Sequence, residues 1–286
     1  MKKVLVTGAT GFIGNHVINQ LLQKNYEVVA SSSSIDKAKL KNWFASVKYI
    51  PLDLAQFDKG VNYASYFDHP DHVIHLAWEG LPNYKASFHV EKNLPRHFAF
   101  LENLTANGVT DLTVTGTCFE YGMQEGCLAE SLETFPANSY AVAKDTLRKR
   151  LEILQQKTGF RLKWVRLFYM YGTGQNPNSL LSQLDQALAK AEAVFNMSGG
   201  EQQRDYLPVE QVAANILDIA LQANVTGVIN CCSGTPVKVK DFVENYLNAK
   251  QATIKLNLGY YPYADYEPMN FWGDDKKLNS IKSNNE

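Results

Sequence analysis

The chain opens on a five-residue apolar run, "KVLVT" at 3–7, that stops at a glycine. Similar short runs recur at 27–31 ("EVVAS"), 47–50 ("VKYI"), 72–77 ("HVIHLA"), 111–116 ("DLTVTG") and 162–168 ("LKWVRLF"). They are rich in Val, Ile and Leu, as strands covered on both faces are. Between them apolar positions recur every three to four residues, most clearly over 12–24, 86–106 and 139–157, which predicts helices. Such alternation predicts an α/β fold, a doubly wound parallel sheet of the Rossmann type, over residues 1–166.

The pattern thins after residue 166. Helices are predicted over 178–193 and over 208–223, where Pro208 suits a first helical turn, and a buried strand over 227–234. From residue 250 onward the chain is rich in Tyr, Pro and Asn and reads as loops with a short strand and no last helix. Neither a repeat nor a Gly/Ser linker interrupts it. The expectation is therefore a smaller mixed α/β substrate-binding part, 167–286, sharing one body with the first, and with 205–233 returning to it.

Composition narrows the function. The 286 residues are 45% hydrophobic, enough for a large core. A net charge of −1 without a like-charge block argues against nucleic acid or an anionic membrane as partner. No stretch approaches the ~18 apolar residues of a membrane span. Cys118, Cys127, Cys231 and Cys232 lack metal-site spacing, so reduced thiols, a cytoplasmic location and no metal are expected.

Three clusters carry candidate chemistry. Gly8, Gly11 and Gly14 sit three apart between the first strand and the first helix. Glycines there permit a tight turn and close backbone approach to a pyrophosphate, which the helix N-terminus can hold. After the second strand, where an NAD site carries Asp or Glu for the ribose 2′-hydroxyl, this chain has Ser31, Ser32, Ser33 and Ser34, then Lys37 and Lys39. Hydroxyls and an ammonium accept a 2′-phosphate, so NADP(H) is favoured, with NAD(H) the alternative. Lastly, Thr117 ends the fifth strand, and Tyr140 and Lys144 lie one helical turn apart. A free phenol titrates near ~10, and Lys144 is expected to lower that value so that Tyr140 can exchange a proton near neutrality.

These motifs, with "LDL" at 52–54, "HLA" at 75–77, "RLFYMYG" at 166–172 and "GGEQQRDYLPVEQVA" at 199–213, resemble the extended short-chain dehydrogenase/reductases, in the nucleotide-sugar epimerase/dehydratase branch. The resemblance implies Thr117, Tyr140 and Lys144 as the catalytic set, with Tyr140 and Lys144 also touching cofactor. It implies further cofactor contacts from Gly8, Thr10, Gly11, Phe12, Ile13, Gly14, Ser31, Ser32 and Ser33. Asp53 and Leu54 would lie at adenine, Leu76, Ala77 and Trp78 near pyrophosphate and ribose, and Asn93 and Thr115 close by. Thr117, Asn178, Ser179 and Arg204 would bind the nucleotide sugar, Arg204 through its diphosphate or ribose.

Departures from the family pattern refine this. Dehydratases of the branch carry an acidic residue just after the catalytic threonine. Here Cys118 and Phe119 follow Thr117, and Glu120 would face away on a strand. Tyr169 replaces the Asn of "RxxN". Cys118, His75 and His16 are expected to be structural. The expected activity is NAD(P)H-dependent reduction of the C4 keto group of a 4-keto-6-deoxy nucleotide sugar, in deoxysugar supply for surface polysaccharide. The alternatives are a nucleotide-sugar 4-epimerase and a redox-sensing binding protein, and assembly stays open between monomer and homodimer.

Overall fold

The structure, a computed structural model, describes residues 2–283. The first half alternates strand and helix: β1 (Lys3–Thr7), α1 (Phe12–Gln23), β2 (Glu27–Ser31), α2 (Ile35–Lys39), β3 (Lys48–Tyr49), α3 (Tyr63–Tyr66), β4 (His72–His75), α4 (Leu94–Ala106), β5 (Asp111–Thr117), the short β6 (Gly126–Leu128), α5 (Ser139–Thr158) and β7 (Arg161–Leu167). The second half adds β8 (Tyr169–Tyr171), α6 (Leu180–Ala189), β9 (Val194–Asn196), β10 (Gln203–Pro208), α7 (Val209–Leu221), β11 (Gly227–Cys231), β12 (Pro236–Lys238), α8 (Val239–Ala249), β13 (Lys255–Asn257), β14 (Phe271–Gly273) and α9 (Lys276–Ser283).

Seven strands form one sheet in the order β11-β7-β5-β4-β1-β2-β3, every pair parallel. Alternate residues of each strand feed opposite faces. Val4 and Val6 meet Val17, Ile18 and Leu21 of α1 and Ile216 of α7, while Leu5 meets the side carrying Phe100 and Leu104 of α4 and Leu147 and Leu151 of α5. Thr7 stands opposite both Ser31 and His75, and Thr117 opposite Leu167, so the carboxyl ends finish at a common edge. Strand order reverses between β1 and β4, the switch point where open α/β sheets bind ligands.

A smaller body packs at that edge. Leu184 of α6, Phe195 of β9 and Val243 and Leu247 of α8 share its core. A second small sheet, β12-β10-β8, and the β14-β6 pair join it to the main sheet. From the second half, β11 lies beside β7 and α7 packs on the main sheet, within the stretch 205–233 expected to return.

Two readings of the chain beyond β11 need correction. A last helix is present: Leu278 and Ile281 of α9 are buried in the core that α7 shares. The cue is only two apolar residues, one turn apart, among Lys, Asn and Ser, too thin to read in a polar tail. Helix α8 is absent from the expected elements, although Val239, Phe242, Val243, Tyr246 and Leu247 form an apolar stripe at helical spacing. The third correction concerns Glu120. Residues Cys118–Tyr121 leave the strand as a turn of tight helix, and strand alternation no longer governs where that carboxylate points.

Candidate active site

Two adjoining cavities lie along the carboxyl edge, sharing Gly8, Gly11, Leu76 and Trp78 as a common wall. The smaller, about 230 Å³, runs from the glycine turn across the end of β2 to α4. The larger, about 520 Å³, runs from the glycine turn past Thr117 and Tyr140 to Asn178 and Ser179. It falls within the usual size of a small-molecule site.

Local sequence builds the glycine turn. Gly8 has φ +69°, and a Cβ there would stand 2.7 Å from the amide nitrogen of Ala77, so backbone meets backbone at the sheet's switch point. Gly11 caps α1 without a side chain, leaving the first N–H groups of a twelve-residue helix open to the cleft. The fit to a dinucleotide is therefore physical: an open helix N-terminus stands over a cavity whose far end is lined by hydroxyls.

Of the cofactor residues read from the chain, Gly8, Thr10, Gly11, Ser31, Ser32, Ser33, Leu54, Leu76, Ala77, Trp78 and Asn93 line the smaller cavity. Phe12, Ile13 and Gly14 line the larger. Asp53 lines neither; its carboxylate accepts the Ala55 N–H at 2.8 Å and caps a short turn. Thr115 is buried behind the wall, where its hydroxyl donates to the His75 carbonyl at 3.3 Å. Lys37 and Lys39 are exposed and outside the cavity, and Lys39 stands 3.9 Å from Asp36. The cation lining it is Arg96 of α4, which the sequence reading missed. Its signal was position: Arg96 follows Asn93 by three residues, on the same helical face.

The three candidate catalytic residues are brought together by β5 and α5. Asn138 caps α5 by accepting the Ala141 N–H at 2.9 Å, and the Tyr140 N–H donates to the Tyr84 carbonyl at 2.9 Å. Thr117 and Tyr140 thereby line one cavity, Thr117 6% and Tyr140 8% exposed. Lys144, one turn on, is buried behind them. Its Nζ donates to the Thr115 carbonyl at 2.8 Å and lies 4.1 Å from the centre of the Trp78 ring.

Burial dominates the electrostatics. It pushes Tyr140 well above the ordinary phenol value, with Tyr84, Glu120 and Cys118 adding to the rise and the Thr117 hydroxyl offsetting part of it. It pulls Lys144 down to about 7, against the opposing charge of Glu120. Tyr140 is thus raised where a lowering by Lys144 was expected, because burial of the phenol outweighs the neighbouring groups that would lower it. Tyr140 is held as the neutral phenol.

The remaining side chains divide cleanly. His75 is fully buried, bonded through Nδ1 to Thr7 at 2.8 Å and through Nε2 to His97 at 2.7 Å, and burial followed by Lys144 drives it down to about 3. It lines neither cavity, and His16 faces the Thr173 carbonyl at 3.1 Å. Cys118 belongs to a buried cluster and also lines the larger cavity, its thiol pushed far up by burial. Phe119 and Tyr169 line that cavity too, with Tyr84 and Leu81, which the sequence reading did not single out. Arg204 does not line it. Its Nε and Nη2 donate to Glu267 at 3.2 and 2.9 Å, and Nη1 to the carbonyls of Gln203 and Met269. Among the described residues no cluster of His, Cys, Asp or Glu is placed to hold a metal, and no helix is long and apolar enough to cross a membrane.

The model of the NAD dependent epimerase/dehydratase family matches residues 4–232, most of the chain and all of the cleft's glycine turn, strand ends and YxxxK helix. The chain belongs to that family. This epimerase/dehydratase-family enzyme is 26% identical over 271 residues to a dTDP-6-deoxy-L-talose 4-dehydrogenase (NAD(+)) of Aggregatibacter actinomycetemcomitans, covering 94% of this chain and 98% of the relative. It is 27% identical to a GDP-6-deoxy-D-talose 4-dehydrogenase of the same organism, covering 99% and 92%. Its fold matches that of a UDP-glucuronic acid 4-epimerase from Bacillus cereus, solved with UDP-glucuronic acid and NAD, at a TM-score of 0.83 and 23% identity over 98% of this chain and 92% of that one. The family description is NAD-dependent, in keeping with the dinucleotide cleft.

Proposed function

We propose that this family member is a nucleotide-sugar 4-ketoreductase, acting on the C4 carbonyl of a 4-keto-6-deoxy sugar. The observation that carries the reading is the Tyr140 phenol, held protonated by burial beside Thr117 in a cavity that adjoins the dinucleotide cleft. When bound, the nicotinamide cofactor supplies the hydride. Tyr140 donates its proton to the sugar oxygen as negative charge develops there, and the Thr117 hydroxyl orients that oxygen. Lys144 steadies the Thr115 backbone at the strand end through its Nζ and would offer a further N–H to the cofactor ribose.

The cavity wall supports a deoxysugar. Beyond Thr117 it is built of Cys118, Phe119, Tyr84 and Leu81, suited to a methyl group, and no carboxylate follows Thr117 to eliminate water. Asn178 and Ser179 close the far end, where the nucleotide diphosphate would sit. NADP(H) is the proposed cofactor form, because Ser31, Ser32 and Ser33 present hydroxyls and Arg96 lines the same cavity.

A 4-epimerase would use the same three side chains, and the fold match to a UDP-glucuronic acid 4-epimerase supports that second reading. A panel of 4-keto-6-deoxy nucleotide sugars, followed by NADPH and NADH absorbance, separates the two. Consumption of reduced cofactor is the expected result. Interconversion of 4-epimeric nucleotide sugars without added NADPH or NADH would replace the reductase by the epimerase.

A further inference from the structure

Behind the reacting centre lies a carboxylate that the reaction as described does not use. Glu120 is fully buried, yet it lines neither cavity. Its Oε1 accepts the Thr117 N–H at 2.9 Å, both oxygens accept the Trp164 indole N–H at 3.0 and 3.1 Å, and Oε2 accepts the Arg166 Nε–H at 2.8 Å. Thr117 answers by accepting the Phe119 N–H at 3.3 Å, which closes a reciprocal cap on the turn Cys118–Tyr121. Gly116, on the cavity wall, separates this carboxylate from the ligand space. A Cβ at that position would collide with the Trp164 indole nitrogen and with Glu120 itself, so only glycine lets the carboxylate stand directly behind the wall.

Burying a carboxylate is costly unless its lone pairs are used, and here three donors from the two strands β5 and β7 converge on it. We propose that Glu120 is a positioning residue of the reacting-oxygen site, holding the Thr117 amide so that the Thr117 hydroxyl stays beside the Tyr140 phenol. The inference rests on the roles proposed for Thr117 and Tyr140. Other charged or titratable groups face the carboxylate as well: Arg166 from β7, Arg148, Tyr140 and Lys144 from α5, and Cys118 from its own turn. Its negative charge raises the proton affinity of both Tyr140 and Lys144.

The test has two arms. Amide hydrogen exchange needs no substrate, so it stands apart from the proposed activity. In the wild type the Thr117 amide should be among the slowest to exchange, and Glu120→Gln should speed it by about tenfold or more. In the activity arm Glu120→Gln should lower kcat by roughly 10- to 100-fold, leave cofactor Kd within about twofold, and move the alkaline limb of the pH profile to lower pH. That direction follows because removing the carboxylate lets Tyr140 and Lys144 lose protons more readily. Glu120→Asp should recover part of kcat. Glu120→Gln leaves Arg166 as an uncompensated buried cation, so the double variant Glu120→Gln, Arg166→Met decides the matter if the single one does not fold. Rapid Thr117 exchange in the wild type would overturn the inference. So would a folded variant with unchanged Thr117 exchange, or with full kcat and an unmoved alkaline limb. Faster Thr117 exchange in a protein inactive on every 4-keto sugar would leave the positioning intact and sink the proposed activity instead.

Discussion

Two lysines of the main α/β body are buried to nearly the same degree and behave differently. Lys163, on β7, is fully buried, and its Nζ meets both oxygens of Asp111 at 2.8 and 3.0 Å and the Ala220 carbonyl at 2.8 Å. Lys144, on α5 near the opposite end of the strands, is 2% exposed and has a carbonyl and an indole face but no carboxylate in contact. Burial lowers both, and at Lys163 the Asp111 charge works directly against it. At Lys144 the opposing charge is the more distant Glu120, and the lysine falls to about 7. A buried cation with its partner in contact is architecture. A buried cation left without one, beside a protonated phenol in a cleft, is the mark of a site kept for chemistry.

The largest effect should come from breaking the paired side. Lys163→Met leaves Asp111 buried with Arg161 at 2.9 Å and His72 at 3.5 Å as its remaining partners. Urea unfolding should show a loss of about 3 kcal/mol, the usual scale for removing one partner of a buried pair. A loss under about 1 kcal/mol, the scale of an exposed pair, would mean the pair is not structural.

On the unpaired side, Tyr140→Phe keeps the ring against Trp78 and Tyr84 and removes the proton donor. Turnover should fall by ~100-fold or more, about 2.7 kcal/mol of transition-state stabilisation, with cofactor affinity little changed. Retention of most activity would show that another group donates the proton.

Lys144→Met sharpens the contrast through pH. The folded value near 7 lies below the unfolded value of 10.5, so the unfolded chain binds the proton more tightly between them. The penalty for burying the charge is full below pH 7 and is relieved as pH rises towards 10.5. Lys144→Met should therefore raise Tm by several degrees at pH 6, by less at pH 9.5, and abolish turnover at both. Thermal unfolding showing an equal or larger gain at pH 9.5 would contradict the assigned direction.

The smallest effect concerns the smaller cavity. Ser32→Asp places a carboxylate where a 2′-phosphate would rest, in place of a hydroxyl that now meets the Tyr49 hydroxyl at 2.9 Å. Preference for NADPH over NADH should narrow by roughly tenfold or reverse in a fluorescence titration. An unchanged ratio would remove Ser31, Ser32 and Ser33 from cofactor selection.

What could be read from the chain follows from how local each signal is. The sheet was legible because "KVLVT", "EVVAS" and "HVIHLA" are short apolar runs between amphipathic helices, and the lining of the cleft because Gly8, Thr117 and Tyr140 sit at fixed places on such elements. Asp53 and Arg204 are different. Their types suit adenine and diphosphate, but Asp53 is engaged by the amide of its near neighbour Ala55 in a turn, and Arg204 by a carboxylate 63 residues away at Glu267 that does not show in the local pattern. Arg96 does not show in the local pattern, where Lys37 and Lys39 are the cations nearest the serines, because only the fold brings α4 across the end of β2. Glu120 was misread because Thr117 both ends a strand and caps a turn, and the cap redirects the chain.

The central claim is that this site passes a hydride from a reduced cofactor to a sugar C4 while Tyr140 supplies the proton. The most direct measurement is isotopic: NADPH deuterated at nicotinamide C4, in each of its two stereochemical forms, incubated with the accepted 4-keto-6-deoxy nucleotide sugar. One of the two forms should place about one deuterium per product at sugar C4, with equivalent loss of NADPH, and the other none. Product formed without deuterium from either form would contradict the account, because the hydride would then come from the sugar itself and return to it within one turnover.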